Sequence, residues 1–489
     1  MGTAVKRFWM TLCAVIMWFS ATLWSVNAWA EATPSEGVVP AYKVDVVVVG
    51  SGGAGLAAAL SAAEKGASVI VLEKMPMIGG NTSQASGYLI AVPETAPSKA
   101  KDIQEALLDD MLKEGGETAN REKLKFVLSR SSEMTSWLIH QGADIEASFD
   151  YQADDAPVAY IPTQTSYTVG EEVIKTLTHS VEMRDIPVLT LTQVTGITTE
   201  THHITGVVAI NAEGKEITVH AKAVILATGG FGASEELISR YIKPQYRLNS
   251  TNLPGTTGDG LKLVEPFDAK LVDMDKNMVH LTTVPFSGLV IPLQARMAGG
   301  ILLNSQGHRF MNELDNDVSA MCQRADGQAW LIIDQAILDR YPALRTYARS
   351  GLFVRGRTVE ELARMIRVNP DVLMAELREY RNAVRRGVDE RFARPSLNSY
   401  LSTLPLYAIN VRPGLQSTLG GLETTFKGEV LNTHNQPIPG LYAAGEVAGG
   451  LFGNRRLEGA SLTASLVYGR AAGQAAANYS RAQASAHQP

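Results

Sequence analysis

The segment 44–49, Val-Asp-Val-Val-Val-Val, runs without a break into Gly50-Ser51-Gly52-Gly53-Ala54-Gly55. A continuous β-branched run, in place of alternating apolar and polar residues, marks a strand buried on both faces, and such strands belong to parallel sheets covered by helices. The alanine-rich stretch 56–65 that follows reads as a helix, Gly66 stops it, and 68–72 reads as a second strand closing on Glu73. One βαβ unit is therefore expected. Glycines at 50, 52 and 55 have separate reasons: the first makes the tight turn, the second admits a pyrophosphate against the backbone, and the third lets helix and strand pack. The helix N-terminus would supply partial positive charge to the phosphates, and Glu73, about twenty residues downstream, would accept hydrogen bonds from a ribose. A dinucleotide site is the expectation, and this pattern does not choose between NAD and FAD.

Composition narrows the class further. A chain of 489 residues, 45% hydrophobic and 19% charged, suits a globular protein of two or three packed units. The net charge of -6 offers no basic field to gather nucleic acid or hold an anionic membrane, so neither is expected as a partner. The N-terminal segment departs from this composition: Lys6 and Arg7 precede an apolar run over about 8–26, and Ala28 and Ala30 then stand at the two positions a signal peptidase reads. These features predict a signal peptide over 1–30, cleaved near Glu31, and a periplasmic protein with no stable membrane insertion, in preference to a retained anchor. Cys13 falls in that segment and Cys322 is the only other cysteine, so the mature chain has no internal disulfide. The chain has no Cys-x-x-Cys-His for a c-type haem, and one cysteine cannot hold an iron–sulfur cluster. Any further redox centre is expected on a separate protein.

Amphipathic helices are expected over about 103–113 and 123–140, and short strands over 188–194, 204–211 and 216–220. A buried strand from Val224 ends in Ala227-Thr228-Gly229-Gly230. Between 271 and 400 the pattern changes to mixed strand and helix, and Arg364, Arg367, Arg378, Arg381, Arg385 and Arg386 read as a solvated face. From Gly440 the first pattern returns, as Leu-Tyr-Ala-Ala-Gly-Glu over 441–446 and a long alanine-rich helix from about Ser461. The fold class expected is α/β: a nucleotide-binding domain over 41–270 and 401–485, interrupted by an α+β capping domain over 271–400.

The motifs at 72–82 (Leu-Glu-Lys-Met-Pro-Met-Ile-Gly-Gly-Asn-Thr), 227–231, 258–260, 440–446 and 456–462 together resemble the FAD segments of the flavoprotein subunits of fumarate reductase and succinate dehydrogenase. The nearest resemblance is to the soluble periplasmic flavocytochrome c fumarate reductases and their urocanate-reducing relatives. It implies a Rossmann-type FAD-binding domain with an inserted capping domain. By the glycine motif and this resemblance, the cofactor contacts expected are Gly50, Gly52, Gly53, Ala54, Gly55, Glu73, Lys74, Gly80, Asn81, Thr82, Ser86, Gly87, Val194, Ala227, Thr228, Gly229, Asp259, Glu446, Ser461 and Leu462. The membrane-bound members carry a flavin-linking histidine where this chain has Asn81, so FAD is expected to be non-covalent. Asp259 and Glu446 also suit a plainer role as helix caps.

Reducing an activated C=C bond with a flavin requires a hydride to one carbon, a proton to the other, and positive charge to polarise the activating group. The resemblance implies that His280 and Arg456 hold a substrate carboxylate and that Arg296 lies on the proton-delivery path. Departures accompany these matches. Asp317 stands where the family has its proton-donating arginine, Leu293 and Pro292 replace the glutamate and threonine of the proton path, and Gln416 and Ser417 replace a histidine pair. Asp317 is open to three readings: a proton donor if burial raises its pKa, a recognition group, or a surface residue. The activity expected is periplasmic, FAD-dependent reduction of an α,β-unsaturated carboxylate other than fumarate, with Arg412 as a further candidate for holding its carboxylate and electrons from a separate cytochrome c or quinol-linked donor. The competing readings are a dehydrogenase of ketosteroid-like CH–CH donors and a flavin-binding protein without turnover.

Overall fold

The structure, a computed structural model, describes residues 41–486 apart from 165–166, 202 and 243–247. The expected signal peptide lies outside the described residues. The β-branched run forms the centre of an eight-stranded sheet whose main path is 429–431, 437–443, 216–226, 41–49, 69–72 and 188–189. The strand Ala41–Val49 pairs in parallel with both neighbours, Val46 standing opposite Val69 on one side and Ala223 on the other. Its alternate side chains enter two different cores. Val46 and Val48 pack among the residues of helices Gly53–Glu64 and Ala460–Ala486, whereas Val47 and Val49 pack with Val207, Val219 and Leu422 on the opposite face. Burial on both faces is why the run does not alternate.

The one polar residue of the run, Asp45, has a structural role. Its carboxylate accepts from Lys222 Nζ at 2.8 Å, from the backbone and hydroxyl of Ser68, and from Ser480 Oγ at 2.9 Å on the C-terminal helix. Burial pushes this carboxyl upward, but Lys222, Ser68 and Ser480 outweigh it and hold the group well below the usual carboxylate range.

Two long helices, Pro97–Gly115 and Arg121–His140, cover the helical side together with a small sheet of 89–90, 145–153 and 156–162. The first begins earlier than its apolar pattern suggests because Pro97 occupies its first turn, and the second starts where Asn120 Oδ1 accepts from Lys123 N. Residues 216–226 form one strand and not two, since His220 and Ala221 continue the ladder against Lys43 and Val44.

The second sheet runs 249–250, 406–418, 329–334 and 301–303, with 277–283 and 354–356 also paired to the thirteen-residue strand Leu406–Thr418. Its core reaches from Leu281 to Val411. The strand therefore carries the capping sheet past residue 400. Of the six arginines expected on a solvated face, Arg381 is instead half-buried and donates to the carbonyls of Tyr400 and Leu401. No helix among the described residues is long and apolar enough to cross a membrane.

The Asp45 contacts generate a pH test. A carboxyl lowered on folding stabilises the fold above its unfolded pKa, near 4, and that contribution disappears as pH falls through the folded value. Asp45→Asn should lower stability at neutral pH, and the deficit relative to wild type should shrink below about pH 4 in denaturant titrations. A deficit of the same size at all pH values would separate Asp45 from this role.

Candidate functional site

Register brings the separate glycine motifs to one edge. Val49 stands opposite Leu226, and Leu226 opposite Ala443, so the segments that follow each strand leave the sheet at the same level. Ala227 N donates to Val49 O at 2.8 Å and Ala444 N donates to Leu226 O at 3.0 Å, which ties 50–55, 227–230 and 444–446 together. This is the carboxyl end of parallel strands, where open α/β sheets bind their ligands.

Within the first turn the glycines divide their work. Gly50 has φ +106, and a Cβ there would lie 2.3 Å from Ala227 O; at Gly55 it would lie 2.0 Å from Gly50 O. Both are needed for chain packing. Around Gly52 the nearest atoms are 3.7 Å and 3.8 Å away, leaving the room a phosphate group requires. The turn is strutted by Glu73, a buried side chain whose Oε2 accepts from Ser51 N at 2.9 Å and Ser51 Oγ at 2.7 Å, while Oε1 accepts from Met75 N. One lone pair of Oε1 is left for a ribose hydroxyl. Gly53 N donates to Thr82 Oγ1 at 3.1 Å, and Gly80 opens the short turn that carries Thr82.

Lys74 Nζ donates to Thr257 Oγ1 at 2.6 Å and Asp259 Oδ2 at 2.7 Å. Glu446 Oε1 accepts from Thr418 N at 2.8 Å. Neither Asp259 nor Glu446 caps its short helix through its side chain. Thr228 Oγ1, beside Ala227 and Gly229, is buried without a partner, as expected of a group completed by a bound molecule. Asn81 is held on both sides, donating from Nδ2 to Asn252 Oδ1 at 2.6 Å and accepting from Leu253 N at 2.9 Å. A primary amide so engaged is no nucleophile for a flavin. Ser86 is exposed, Gly87 lies beneath the Glu458 carboxylate, and Val194 is buried in the core opposite the helices. Ser461 and Leu462 open the long C-terminal helix, Leu462 being buried. The convergence of the glycine turns at one edge and the unpartnered Thr228 hydroxyl fit FAD.

The candidate substrate residues come from both sheets. His280, on the strand Asn277–Thr283, accepts at Nδ1 from Thr282 N at 3.3 Å. Burial, aided by the nearby Arg296 charge, pushes its pKa down to about 4. It is therefore a neutral imidazole with its proton on Nε2, a hydrogen-bond donor. Arg296 is buried on the short helix Leu293–Met297 that Pro292 precedes; its Nη1 donates to Glu313 O at 2.6 Å and its Nε has no partner. Burial and the Arg394 charge, opposed by Glu313, bring its pKa down to about 10. Arg456 donates from Nη2 to Ser417 Oγ at 3.4 Å, and Ser417 is the register partner of Met278, two residues before His280. Its Nε is also buried and unpartnered, and burial lowers its pKa against the pull of Glu446 and Glu458. On the same strand as Ser417, Arg412 likewise has a buried Nε without a partner.

Of the three readings of Asp317, its place in the structure fits the surface residue. It is exposed and caps the helix Val318–Arg324, its Oδ1 accepting from Ala320 N at 2.9 Å. The burial on which a proton-donor role depended is absent, and an aspartate before a helical segment is a favoured cap.

The sequence reading missed a buried charge cluster behind Arg296. Arg309 holds both oxygens of Glu313, at 2.7 Å and 2.9 Å, and Asp389 at 2.7 Å, while Arg394 Nη1 meets Glu313 at 3.0 Å and its Nη2 meets the Arg296 carbonyl. Two guanidinium groups balance two carboxylates, so Arg296 is the surplus cation. The signal available in the sequence was the Arg309/Glu313 spacing of four.

The sequence pattern of the FAD binding domain family matches residues 45–462. The chain belongs to this FAD-binding family. The flavoprotein is 35% identical over 447 residues to the NADH:fumarate oxidoreductase of Klebsiella pneumoniae, covering 89% of this chain and 48% of that one. It thus spans about half the length of that relative. It is 31% identical to the urocanate reductase of Eggerthella lenta, covering 89% of this chain and 74% of that protein. Its fold matches an open conformation of a flavocytochrome c3 fumarate reductase with TM-score 0.82 and 29% identity, covering 90% of this chain and 79% of that one. These matches bear out the expected α/β fold and the FAD cofactor.

Acid or denaturant should release all the flavin as free FAD, because Asn81 offers no linking nucleophile. Flavin fluorescence that stays with the denatured polypeptide would show a covalent bond.

Proposed function

We propose that this flavoprotein reduces the C=C bond of an α,β-unsaturated carboxylate in the periplasm, with electrons from a separate cytochrome c or quinol-linked donor. The observation that carries the reading is half-satisfied Arg456 bonded to Ser417 on the strand paired with that of neutral His280, which in turn feels the charge of Arg296, next to the edge where the FAD motifs converge. FAD, when bound and reduced, supplies the hydride.

The chain's own residues would do the rest. Arg456 offers its unpartnered Nε–H to the substrate carboxylate, and His280 offers Nε2–H to an oxygen of the same group. Both donors withdraw charge as electron density moves onto the carboxyl during hydride arrival. Arg296, with its Nε–H free and its pKa lowered, holds the proton that passes to the second carbon. Water is kept out by the capping sheet, which carries His280 and Ser417 over the site.

Location and electron donor are supported by the leader-like N-terminal segment and by the likeness to a flavocytochrome. With Asp317 at the surface, the case against fumarate rests on missing cations: Asp317, Gln416 and Ser417 stand where the resemblance implies an arginine and two histidines.

Arg456→Ala should keep its FAD and lose nearly all turnover with reduced viologen and a panel of enoates. A carboxylate left without its paired charge loses about 2–5 kcal/mol, which is a rate loss of roughly tens to thousands of times. Full activity in the variant would remove Arg456 from the site, and rapid fumarate reduction by wild type would overturn the substrate assignment.

A further inference from the structure

Glu458 lies two residues from Arg456 on the loop that enters the C-terminal helix. This loop is pinned from both sides. A Cβ on Gly459 (φ +80) would lie 2.7 Å from Tyr88 O, and Thr463 Oγ1 donates to Ile90 O at 2.5 Å. The position of Glu458 is therefore fixed relative to the segment 87–90. Its carboxylate lies over Gly87, with Oε1 2.7 Å from where a Cβ on that residue would be and Cδ and Cγ at 3.5 Å. The side chain is accessible, its carboxylate accepts no hydrogen bond from any described residue, and the charge it feels most is that of Arg456.

An acid without a hydrogen-bond partner, held between the expected flavin contact Gly87 and the expected carboxylate anchor Arg456, changes the charge of the site. The cations there are Arg456 and Arg296, His280 being neutral. The carboxylates are Glu446 and Glu458, and Glu446 is engaged by Thr418. Two cations against two carboxylates leave no net charge, so one carboxylate of a ligand already makes the site negative and a second adds a further like charge. A second carboxylate directed toward Gly87 would face the Glu458 carboxylate, and like charges repel.

We propose that Glu458 is a specificity-determining residue that restricts the substrate to unsaturated acids with a single carboxylate, the far end being neutral or a hydrogen-bond donor able to meet the Glu458 oxygens. This inference rests on the proposed reductase activity and names its substrate class.

Fumarate and monomethyl fumarate form a suitable probe pair, since they share the double bond and differ by one charge. kcat/KM for both is measured anaerobically with reduced viologen on FAD-loaded wild type, Glu458→Gln and Glu458→Gly. Wild type should favour the monoester, and both variants should narrow the ratio by about tenfold or more, chiefly through faster fumarate turnover, with FAD content unchanged. An unchanged ratio in the variants, or no preference in wild type, overturns the assignment of Glu458 while leaving the reductase reading in place. Loss of FAD from Glu458→Gln would assign the residue to cofactor retention and equally overturn it. No turnover of either compound by wild type or the variants would overturn the reductase reading and this inference with it.

Discussion

Three parallel strands ending at one level are the constraint on which the rest of this structure depends. Val49, Leu226 and Ala443 stand side by side, so glycine-containing turns that are far apart in the chain leave the sheet at a common edge. Their exits are stitched by backbone hydrogen bonds from Ala227 to Val49 and from Ala444 to Leu226. A one-residue slip would exchange the faces on which Val46 and Val48 meet the helices and Val47 and Val49 meet the opposite core. The hydrophobic division of this one run thus fixes the register, and the register assembles the cofactor edge.

The long strand Leu406–Thr418 links that edge to the substrate side. Its first half is buried in the capping sheet, Leu406 pairing with Asp334 and Val411 with Ala329, and its last residue donates to Glu446 beside the cofactor edge. His280 and Ser417 are carried on this pair of strands, and Arg456 reaches Ser417 from the loop before the C-terminal helix. The candidate substrate groups are therefore shared between the two sheets. Their electrostatics follow from burial: it keeps His280 neutral, and it leaves the Nε–H groups of Arg296 and Arg456 dry and unpaired. Buried donors of this kind are costly unless a ligand completes them.

Legibility in the sequence followed the range of the interactions. The βαβ unit was readable because its signals are local: a β-branched run, glycines at fixed spacing, and an alanine helix whose small residues let helices approach closely. The place of Asp317 was not, since one residue's difference between lining a site and capping a helix depends on how the segment 312–318 packs against Val279. The cluster of Arg309, Glu313, Asp389 and Arg394 was equally hidden, because it joins residues up to about eighty positions apart whose charge would ordinarily mark them as surface.

The central claim is that a substrate held by His280 and Arg456 takes its electrons from FAD bound at this edge. Its most direct test is a single turnover without any electron donor. The FAD-loaded protein is reduced, freed of excess reductant under anaerobic conditions, and mixed with monomethyl fumarate while the oxidised-flavin absorbance band is followed and the saturated product is quantified. The account predicts that the band returns fully with one equivalent of saturated acid formed per flavin. A flavin that stays reduced across a panel of mono-acid enoates would contradict it.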